Sequence, residues 1–144
     1  MKFNSPAIVF FCLLIGIGFV AFYSYRQLRT AAMKSCVYSL EEPIREHFSR
    51  MRIGSETGTE WTYLSPEISQ PLVAEFVQAG RTDCGTFDTM SSGKDYWSNP
   101  IKIAVLNLGG DQAVRVRVSS DGPDGITHSD DDIVIESVRP GGHN

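Results

Sequence analysis

The sequence predicts an α+β protein in which one long N-terminal helix packs on a small three-stranded antiparallel sheet. Three observations lead to this fold: an apolar N-terminal run, an amphipathic helical stretch directly after it, and three short alternating runs near the C-terminus. At 144 residues, the chain is long enough for one globular domain in addition to an anchor. A net charge of −4 gives no basic footprint for nucleic acid.

The N-terminal run from Pro6 to Tyr25 carries no charged residue. A helix of that length is about 30 Å long, which matches the hydrocarbon core of a bilayer. Arg26 ends the run, and the preceding tyrosines are suited to the membrane interface. We therefore assign residues 1–25 to a transmembrane anchor helix. A cleaved signal peptide is the alternative, although its apolar core is normally shorter.

Two arguments about orientation oppose each other. Three cations, the last of them Lys34, follow the apolar run, whereas Lys2 alone precedes it, so the positive-inside rule places the C-terminal domain in the cytoplasm. However, Cys36 and Cys84 are the only cysteines outside the anchor, which fits one disulfide formed in an oxidising compartment. The alternative is two unpaired buried thiols. We expect the disulfide, and with it an outward-facing domain.

Residues 26–53 predict an amphipathic stem helix. Their apolar residues recur every three or four positions, so one stripe can cover a sheet. Ser39 and Glu42 have the spacing of a capping box, which allows a second helix to begin with Pro43 in its first turn. A single helix kinked at Pro43 is the alternative. His47 has no metal-ligand partner at helical spacing and is expected to be an exposed polar residue.

Glycines and prolines interrupt residues 54–93, the first part of the globular region. A short helix over Pro71–Ala79 is expected there. Trp61 and Tyr63 either form a short strand or pack elsewhere. We find no nucleophile–base pair and no paired carboxylates with an assigned partner, so the pattern predicts a protein that is not an enzyme.

Three alternating runs predict the sheet of the globular domain, which we place at residues 54–144. They are Ile101–Asn107, Ala113–Val118 and Ile133–Val138. In the second run the valines share one face, while Arg115 and Arg117 share the other, which we expect to be an ordinary solvated face. The apolar face needs a cover, and the stem helix is the only element long enough to supply it.

The loop Ser119–Ile133 contains five aspartates, and Gly122, Pro123 and Gly125 supply tight turns. Carboxylates this close together repel one another unless water or a cation screens them. A hard cation with about six to eight oxygen ligands suits such a loop, and Ca²⁺ is the natural candidate. The alternative is a solvated acidic loop without an ion. The spacing is not that of an EF-hand.

The apolar N-terminal helix is followed by Lys94–Ile101 (KDYWSNPI) and then by Ser120–Gly125 (SDGPDG) with Asp131–Ile133 (DDI) downstream. In this order, the three features resemble the pseudopilins of type II secretion, most nearly the major, G-type pseudopilin. The resemblance covers the anchor and roughly residues 94–138. It implies a pilin-like fold and self-assembly, or assembly with other pseudopilins, through the N-terminal helix. It also implies a bacterial inner-membrane anchor and a periplasmic domain.

The resemblance further implies a calcium site in the loop. By motif position, Asp124 and Asp131 would be side-chain ligands of Ca²⁺. Backbone carbonyls around Ser119, Asp121 and residues 126–129 are expected to add donors. The candidate ligand set is therefore Asp124, Asp131, Asp121, Ser119 and Ser129.

The N-terminus departs from the family pattern. Pilin-like chains carry a glutamate five positions into the mature protein, whereas no acidic residue precedes Glu41 here. Ser98 also stands where the family has a glycine after the tryptophan. These departures predict an uncleaved anchor. The alternative function is a monomeric, membrane-anchored adaptor that recognises a secretion component or a secreted substrate through Trp61, Tyr63 and the middle of the chain.

Overall fold

The computed structural model describes residues 6–51, 60–84, 88–107 and 114–137. The predicted end of the stem at residue 53 and the strand residues Ala113 and Val138 lie outside these ranges. The chain divides into two compact units, residues 1–32 and 33–144. The elements are α1 (Pro6–Arg50), β1 (Thr62–Tyr63), α2 (Pro66–Gln78), a 3₁₀ helix (Asp88–Ser92), β2 (Lys102–Asn107), β3 (Val114–Ser120) and β4 (Ile133–Glu136).

The N-terminal unit contains the apolar half of α1. Every side chain from Ile8 to Leu28 is exposed, including the large apolar ones. This helix is long and apolar enough to cross a membrane, a property that a signal sequence near the N-terminus shares. The finding agrees with the predicted single anchor, since the apolar side chains have no protein partner to bury them.

The helix α1 continues without interruption through Pro43 to Arg50. Of the two alternatives for the stem, the single helix is therefore the one that the structure shows, and no second helix begins at Pro43. Ser39 does not act as its cap, because its hydroxyl donates to the carbonyl of Cys36 at 2.8 Å. The Ser39 hydroxyl also accepts the N–H of Asp83 at 3.0 Å. Burial of the apolar stripe before and after Pro43 offsets the hydrogen bond that a proline removes from a helix.

The sheet has four antiparallel strands in the order β1-β2-β3-β4. Three strands were expected, and the additional one is β1, in which Thr62 pairs with Val105 and Tyr63 with Ala104. Two residues are too few to show an alternating pattern. The sequence therefore indicates β1 only through the short-strand alternative for Trp61 and Tyr63. The α+β class and the antiparallel sheet are confirmed.

The core of the second unit lies between the stem half of α1, the inner face of the sheet and α2. The valines of β3 point into it, and Val116 and Val118 are fully buried. The stem supplies the predicted cover for the sheet, which accounts for its apolar spacing. Its contributions to the core are Met33, Cys36, Val37, Leu40, Ile44 and Phe48.

The helix α2 begins at Pro66, five residues before the expected start at Pro71. Ser65 precedes it in an extended conformation, and Pro66 takes the first helical turn, where its missing N–H costs nothing. The side chains of α2 that reach the core include Phe76, whose ring contacts His47 edge-on at 5.9 Å. His47 is therefore half-buried, whereas the sequence predicts an exposed residue.

The predicted disulfide between Cys36 and Cys84 is present, with a Cα–Cα distance of 4.7 Å. Both cysteines are fully buried. The bridge joins the stem to the chain that follows α2 across a sequence separation of 48. A loop of that length corresponds to about 4 kcal/mol of stabilisation on the chain-entropy estimate. Arg81 and Glu46 form an ion pair between the same two regions at 2.8 Å.

Candidate functional site

The candidate site combines the loop between β3 and β4 with the segment 94–101 that leads into β2. The loop turns on two glycines with left-handed backbone, Gly122 and Gly125, both at φ 67°. A Cβ on Gly122 would lie 2.5 Å from the carbonyl oxygen of Asp131, which no side chain tolerates. The glycines therefore bring the two ends of the acidic loop against each other, as their turn chemistry predicts.

A buried carboxylate, Asp95, organises the segment that carries the tryptophan. Its Oδ1 accepts the backbone N–H of Trp97 at 2.9 Å and that of Asn99 at 2.8 Å. Its Oδ2 accepts the hydroxyl of Ser120, at the end of β3, at 2.6 Å. Burial raises the pKa of Asp95, while the Ser120 hydroxyl and the two N–H donors act in the opposite direction. This residue ties the segment to the strand that leads into the acidic loop.

Asn99 makes a second connection between the segment and the loop. Its Nδ2 donates to the carbonyl of Gly122 at 2.8 Å. Its Oδ1 lies where a Cβ on Gly125 would approach to 3.1 Å, so the loop packs closely on this amide. The tryptophan segment and the loop are therefore one structural unit, although they are separated in sequence.

Ser98 adopts a left-handed backbone with φ 72°. This conformation favours glycine, because a Cβ there approaches a carbonyl oxygen too closely. The position is the one at which the resemblance leads us to expect glycine. The backbone at Ser98 thus has the conformation that glycine favours, although the residue is a serine.

Three carboxylates of the loop surround the hydroxyl of Ser129. Its Oγ lies 2.5 Å from Asp131 Oδ1, 3.2 Å from Asp124 Oδ1 and 3.2 Å from Asp132 Oδ1. A hydroxyl has one proton, so it satisfies one of these acceptors fully at a time. The hydrogen bond from Ser129 lowers the pKa of Asp131. The arrangement concentrates negative charge around one small polar group.

Backbone donors fix two of these carboxylates. Asp124 Oδ1 accepts the N–H of Ile126 at 2.8 Å, and Asp132 Oδ2 accepts the N–H of His128 at 2.7 Å. His128 has φ 69°, so the chain reverses there to aim its N–H inward. The carboxylates are therefore oriented by the loop itself.

The donor chemistry of this cluster fits a hard cation, since every donor is an oxygen and most carry charge. In the ranges that the structure describes, no three His, Cys, Asp or Glu side chains are already close enough to form a metal-binding group. Asp124, Asp131 and Ser129 are the predicted ligands that the fold brings together. These three residues would supply oxygen donors to a Ca²⁺ ion.

The two other predicted ligands lie differently. Asp121 is mostly buried and forms an ion pair with Lys102, whose Nζ lies 2.7 Å from Oδ2. Ser119 lies in β3, opposite Lys102 on one side and Val134 on the other. Asp121 therefore has a protein cation as its partner rather than belonging to the Ser129 cluster.

The outward face of the sheet carries a layer of aromatic and charged side chains. The Arg117 guanidinium lies 4.4 Å from the centroid of the Trp61 ring, and Arg117 also donates to the hydroxyl of Tyr63 at 3.2 Å. Both Arg115 and Arg117 form ion pairs with Glu136. Arg115 and Arg117, which the sequence predicts to be solvated, are thus half-buried and held by these contacts. These contacts hold β1 against the rest of the sheet.

Comparison with known proteins finds no match to any protein family, curated protein or solved structure.

Replacing Ser98 by glycine should stabilise the domain by about 1 kcal/mol, because it removes the steric cost of the left-handed conformation. The gain should appear as a higher midpoint in denaturant unfolding of the full-length protein in detergent, followed by tryptophan fluorescence. Ser98→Ala is the matched control and should give no gain, because alanine keeps the Cβ. Equal midpoints for the glycine and alanine variants would contradict the strained backbone.

Replacing Asp95 by alanine should destabilise the domain by about 1–3 kcal/mol, because the buried Ser120 hydroxyl and two partly buried backbone N–H groups lose their acceptor. Asp95→Asn should cost much less, since an amide oxygen can still accept the two backbone N–H groups. Unfolding free energies of both variants from denaturant titration test this. Similar losses for Ala and Asn would show that the hydrogen bonds are not what matters at this position.

Comparison of the wild type with Asp95→Asn also predicts a pH dependence of the unfolding free energy. Because the folded-state pKa of Asp95 is raised, the folded protein keeps this proton to higher pH than the unfolded chain. The stabilisation from Asp95 is therefore greatest below its ordinary pKa and is lost as pH rises through the folded pKa. The wild type should lose stability relative to Asp95→Asn over that window. A constant difference would contradict the raised pKa.

Proposed function

We propose that this chain is a membrane-anchored, calcium-stabilised structural subunit of pseudopilin type in a type II secretion or pilus-type envelope assembly. The observation that carries the proposal is the joining of the acidic loop to the tryptophan segment through Asp95 and Asn99. These are two of the three features on which the resemblance rests, and in the fold they lie against each other.

The role proposed for calcium is structural. The ion would neutralise the carboxylates of Asp124 and Asp131 and hold the loop in the shape that the glycines allow. Because a bound ion stabilises the folded state by mass action, its removal should weaken the domain. The periplasm supplies both the calcium that such a site needs and the oxidising conditions that the Cys36–Cys84 disulfide requires.

The proposed partner is a second copy of the chain or another pseudopilin, reached through the N-terminal helix. Support comes from the apolar side chains of residues 8–25, which are exposed along the helix. In a bilayer these side chains face lipid or neighbouring helices, so they allow lateral assembly. The chain has no proposed catalytic role.

The adaptor function remains the second candidate. It is favoured by the missing acidic residue before Glu41 and by the surface formed by Trp61, Tyr63 and Arg117, where Tyr63 is 53% exposed. In this case the domain would act as a monomer and bind a secretion component or a secreted substrate through the outward face of the sheet.

Chelation should lower the melting temperature of the full-length protein in detergent if calcium fills the loop. A free calcium concentration about 100-fold above the dissociation constant corresponds to about 2.7 kcal/mol of stabilisation. Asp124→Ala should abolish the difference between calcium and chelator. Asp130→Ala is the matched control, since Asp130 is an exposed aspartate of the same loop, and it should retain most of the shift. A wild-type melting curve that is identical in calcium and in chelator would remove the ion from the proposal.

Crosslinking in membranes separates the subunit from the adaptor. With Cys12 replaced by serine, a single cysteine at Val9 or Ile17 should give a covalent homodimer on oxidation or bifunctional crosslinking if the helices assemble. A photoreactive residue at Tyr63 should give a single adduct with a different protein if the chain is an adaptor. A homodimer linked through the anchor without a Tyr63 adduct supports the subunit, and the reverse pattern supports the adaptor.

A further inference from the structure

We propose that residues 81–84 form a latch over the Cys36–Cys84 disulfide, and that opening of this latch limits the exchange of the bridge with an external thiol. The inference goes beyond the proposed function, because it holds whether or not the chain binds calcium or assembles. It makes the redox state of the domain depend on the non-covalent contacts of one short segment.

The two sulfur atoms are closed off in the folded domain. Both Cys36 and Cys84 are 0% exposed. A thiolate has to contact a sulfur atom in order to exchange with it, so reaction at this bridge requires a local opening. Cys36 lies in the continuous helix α1, whose stem half is packed in the core. The opening is therefore expected on the Cys84 side.

Two side-chain contacts hold the latch against the stem. The backbone N–H of Asp83 donates to Ser39 Oγ at 3.0 Å, and this oxygen lies 3.8 Å from Cys84 Sγ. Arg81 forms an ion pair with Glu46 at 2.8 Å, about two helical turns further along the stem. Ser39 therefore covers the sulfur directly, whereas Arg81 closes the other end of the latch.

The latch also contains a group that favours its opening. Thr82 Oγ1 is buried, and it has no hydrogen-bond partner among the residues that the structure describes. Opening lets water solvate this hydroxyl and so recovers the cost of burying it. The ion pair opposes opening only weakly, since the side chains of Arg81 and Glu46 are 46% and 43% exposed. Weak contacts of this kind are typical of segments that open locally.

A route for the reagent exists along the same boundary. A polar groove is lined by Ser39, Glu46 and Arg81, the side chains that hold the latch, together with neighbouring residues of the stem. A thiol in this groove is separated from the sulfurs by the latch contacts themselves. Movement of the latch therefore gives it access.

The exchange consumes two thiol groups of a reductant. The first loses its proton and attacks Cys84 Sγ, which breaks the S–S bond, forms a mixed disulfide with Cys84 and leaves Cys36 as a thiolate that takes up a proton. The second loses its proton and attacks the reductant sulfur of the mixed disulfide. This step releases Cys84 as a thiolate, which is then protonated, and leaves the two reductant sulfurs joined as a disulfide. The reverse steps, with an external disulfide as the oxidant, form the bridge.

The experiment follows the reduction of the full-length protein in detergent by dithiothreitol. A Cys12→Ser background leaves Cys36 and Cys84 as the only cysteines. Samples are stopped with acid at intervals, and their free thiols are labelled in denaturant with a polyethylene glycol maleimide and counted by gel shift. The rate constant of reduction is the quantity compared between variants.

Three latch variants test the inference in two directions. Arg81→Ala should speed reduction about threefold, because it removes an exposed ion pair. Ser39→Ala should speed it about fivefold, because the Asp83 N–H loses its acceptor. Thr82→Val should slow it about threefold, since valine fills the same space without the hydroxyl that lacks a partner.

Two controls separate the latch from other effects. Arg50→Ala also removes an ion pair with Glu46, but from within the stem, so it should leave the rate within about twofold of the wild type. Asp95→Ala weakens the domain at the Ser120 hydroxyl rather than at the latch. It should also leave the rate within about twofold if the opening is local.

Acceleration by Arg81→Ala and Ser39→Ala, slowing by Thr82→Val and unchanged rates in both controls would support the latch. If Asp95→Ala speeds reduction as much as Ser39→Ala does, the bridge is reached by global unfolding, and the inference is overturned. Equal rates in the wild type and the three latch variants would overturn it as well. Should an alanine variant fail to fold, Thr82→Val still tests the inference, because it creates no cavity.

Discussion

The buried carboxylate of Asp95 is the interaction on which the rest of the candidate site depends. It accepts two backbone N–H groups of its own segment and the hydroxyl of Ser120. It reinforces a segment whose backbone also closes on itself, since the Asp95 N–H donates to the Asn99 carbonyl at 2.8 Å, and it ties that segment to the end of β3. Asn99, which holds the loop at Gly122, is itself positioned by Asp95. Asp95 thus anchors the start of the loop at Ser120 and, through Asn99, at Gly122, whereas N–H groups of the loop itself orient its carboxylates.

Two different solutions to charge crowding are present in one loop. A lysine from the neighbouring strand neutralises Asp121, while hydrogen-bond donors orient the carboxylates around Ser129. The first supplies a full opposite charge, whereas the second uses uncharged groups, the Ser129 hydroxyl and backbone N–H groups of the loop. The disulfide between the stem and the chain that follows α2 also depends on the environment, because such bonds form and persist in oxidising compartments.

The sequence predicted those parts of the fold that local periodicity determines. The valines of β3 alternate with the period of a strand, and the apolar stripe of the stem has the period of a helix. The run before Arg26 is uncharged throughout. The burial or exposure of all three was therefore predictable from the sequence. The capping pattern at Ser39 and Glu42 led to an alternative that the core overrode, because buried residues on both sides of Pro43 keep the helix continuous. The strand β1 was indicated only as one of two alternatives, since two residues carry no period.

The site was predictable to a smaller extent. The glycines and aspartates of the loop predict a tight acidic turn, and such a turn brings aspartates close together, as they are around Ser129. Asp95 carried no comparable signal, because its partner Ser120 lies 25 positions away in sequence. Lys102 looked like one polar residue in an alternating strand, and only the antiparallel register brings it to the loop. Contacts of this kind depend on topology, which a single sequence encodes only indirectly.

The small size of the outermost strands has a consequence for how copies of this domain can meet. At one border of the sheet β1 is only two residues long, and at the other β4 is four residues long and follows directly on a cluster of aspartates. Short, charge-guarded borders offer little backbone for another chain to extend the sheet. Joining of domains by continuous strand pairing is thereby disfavoured at these two described strands, which leaves side-chain surfaces as the more favourable means of contact between copies.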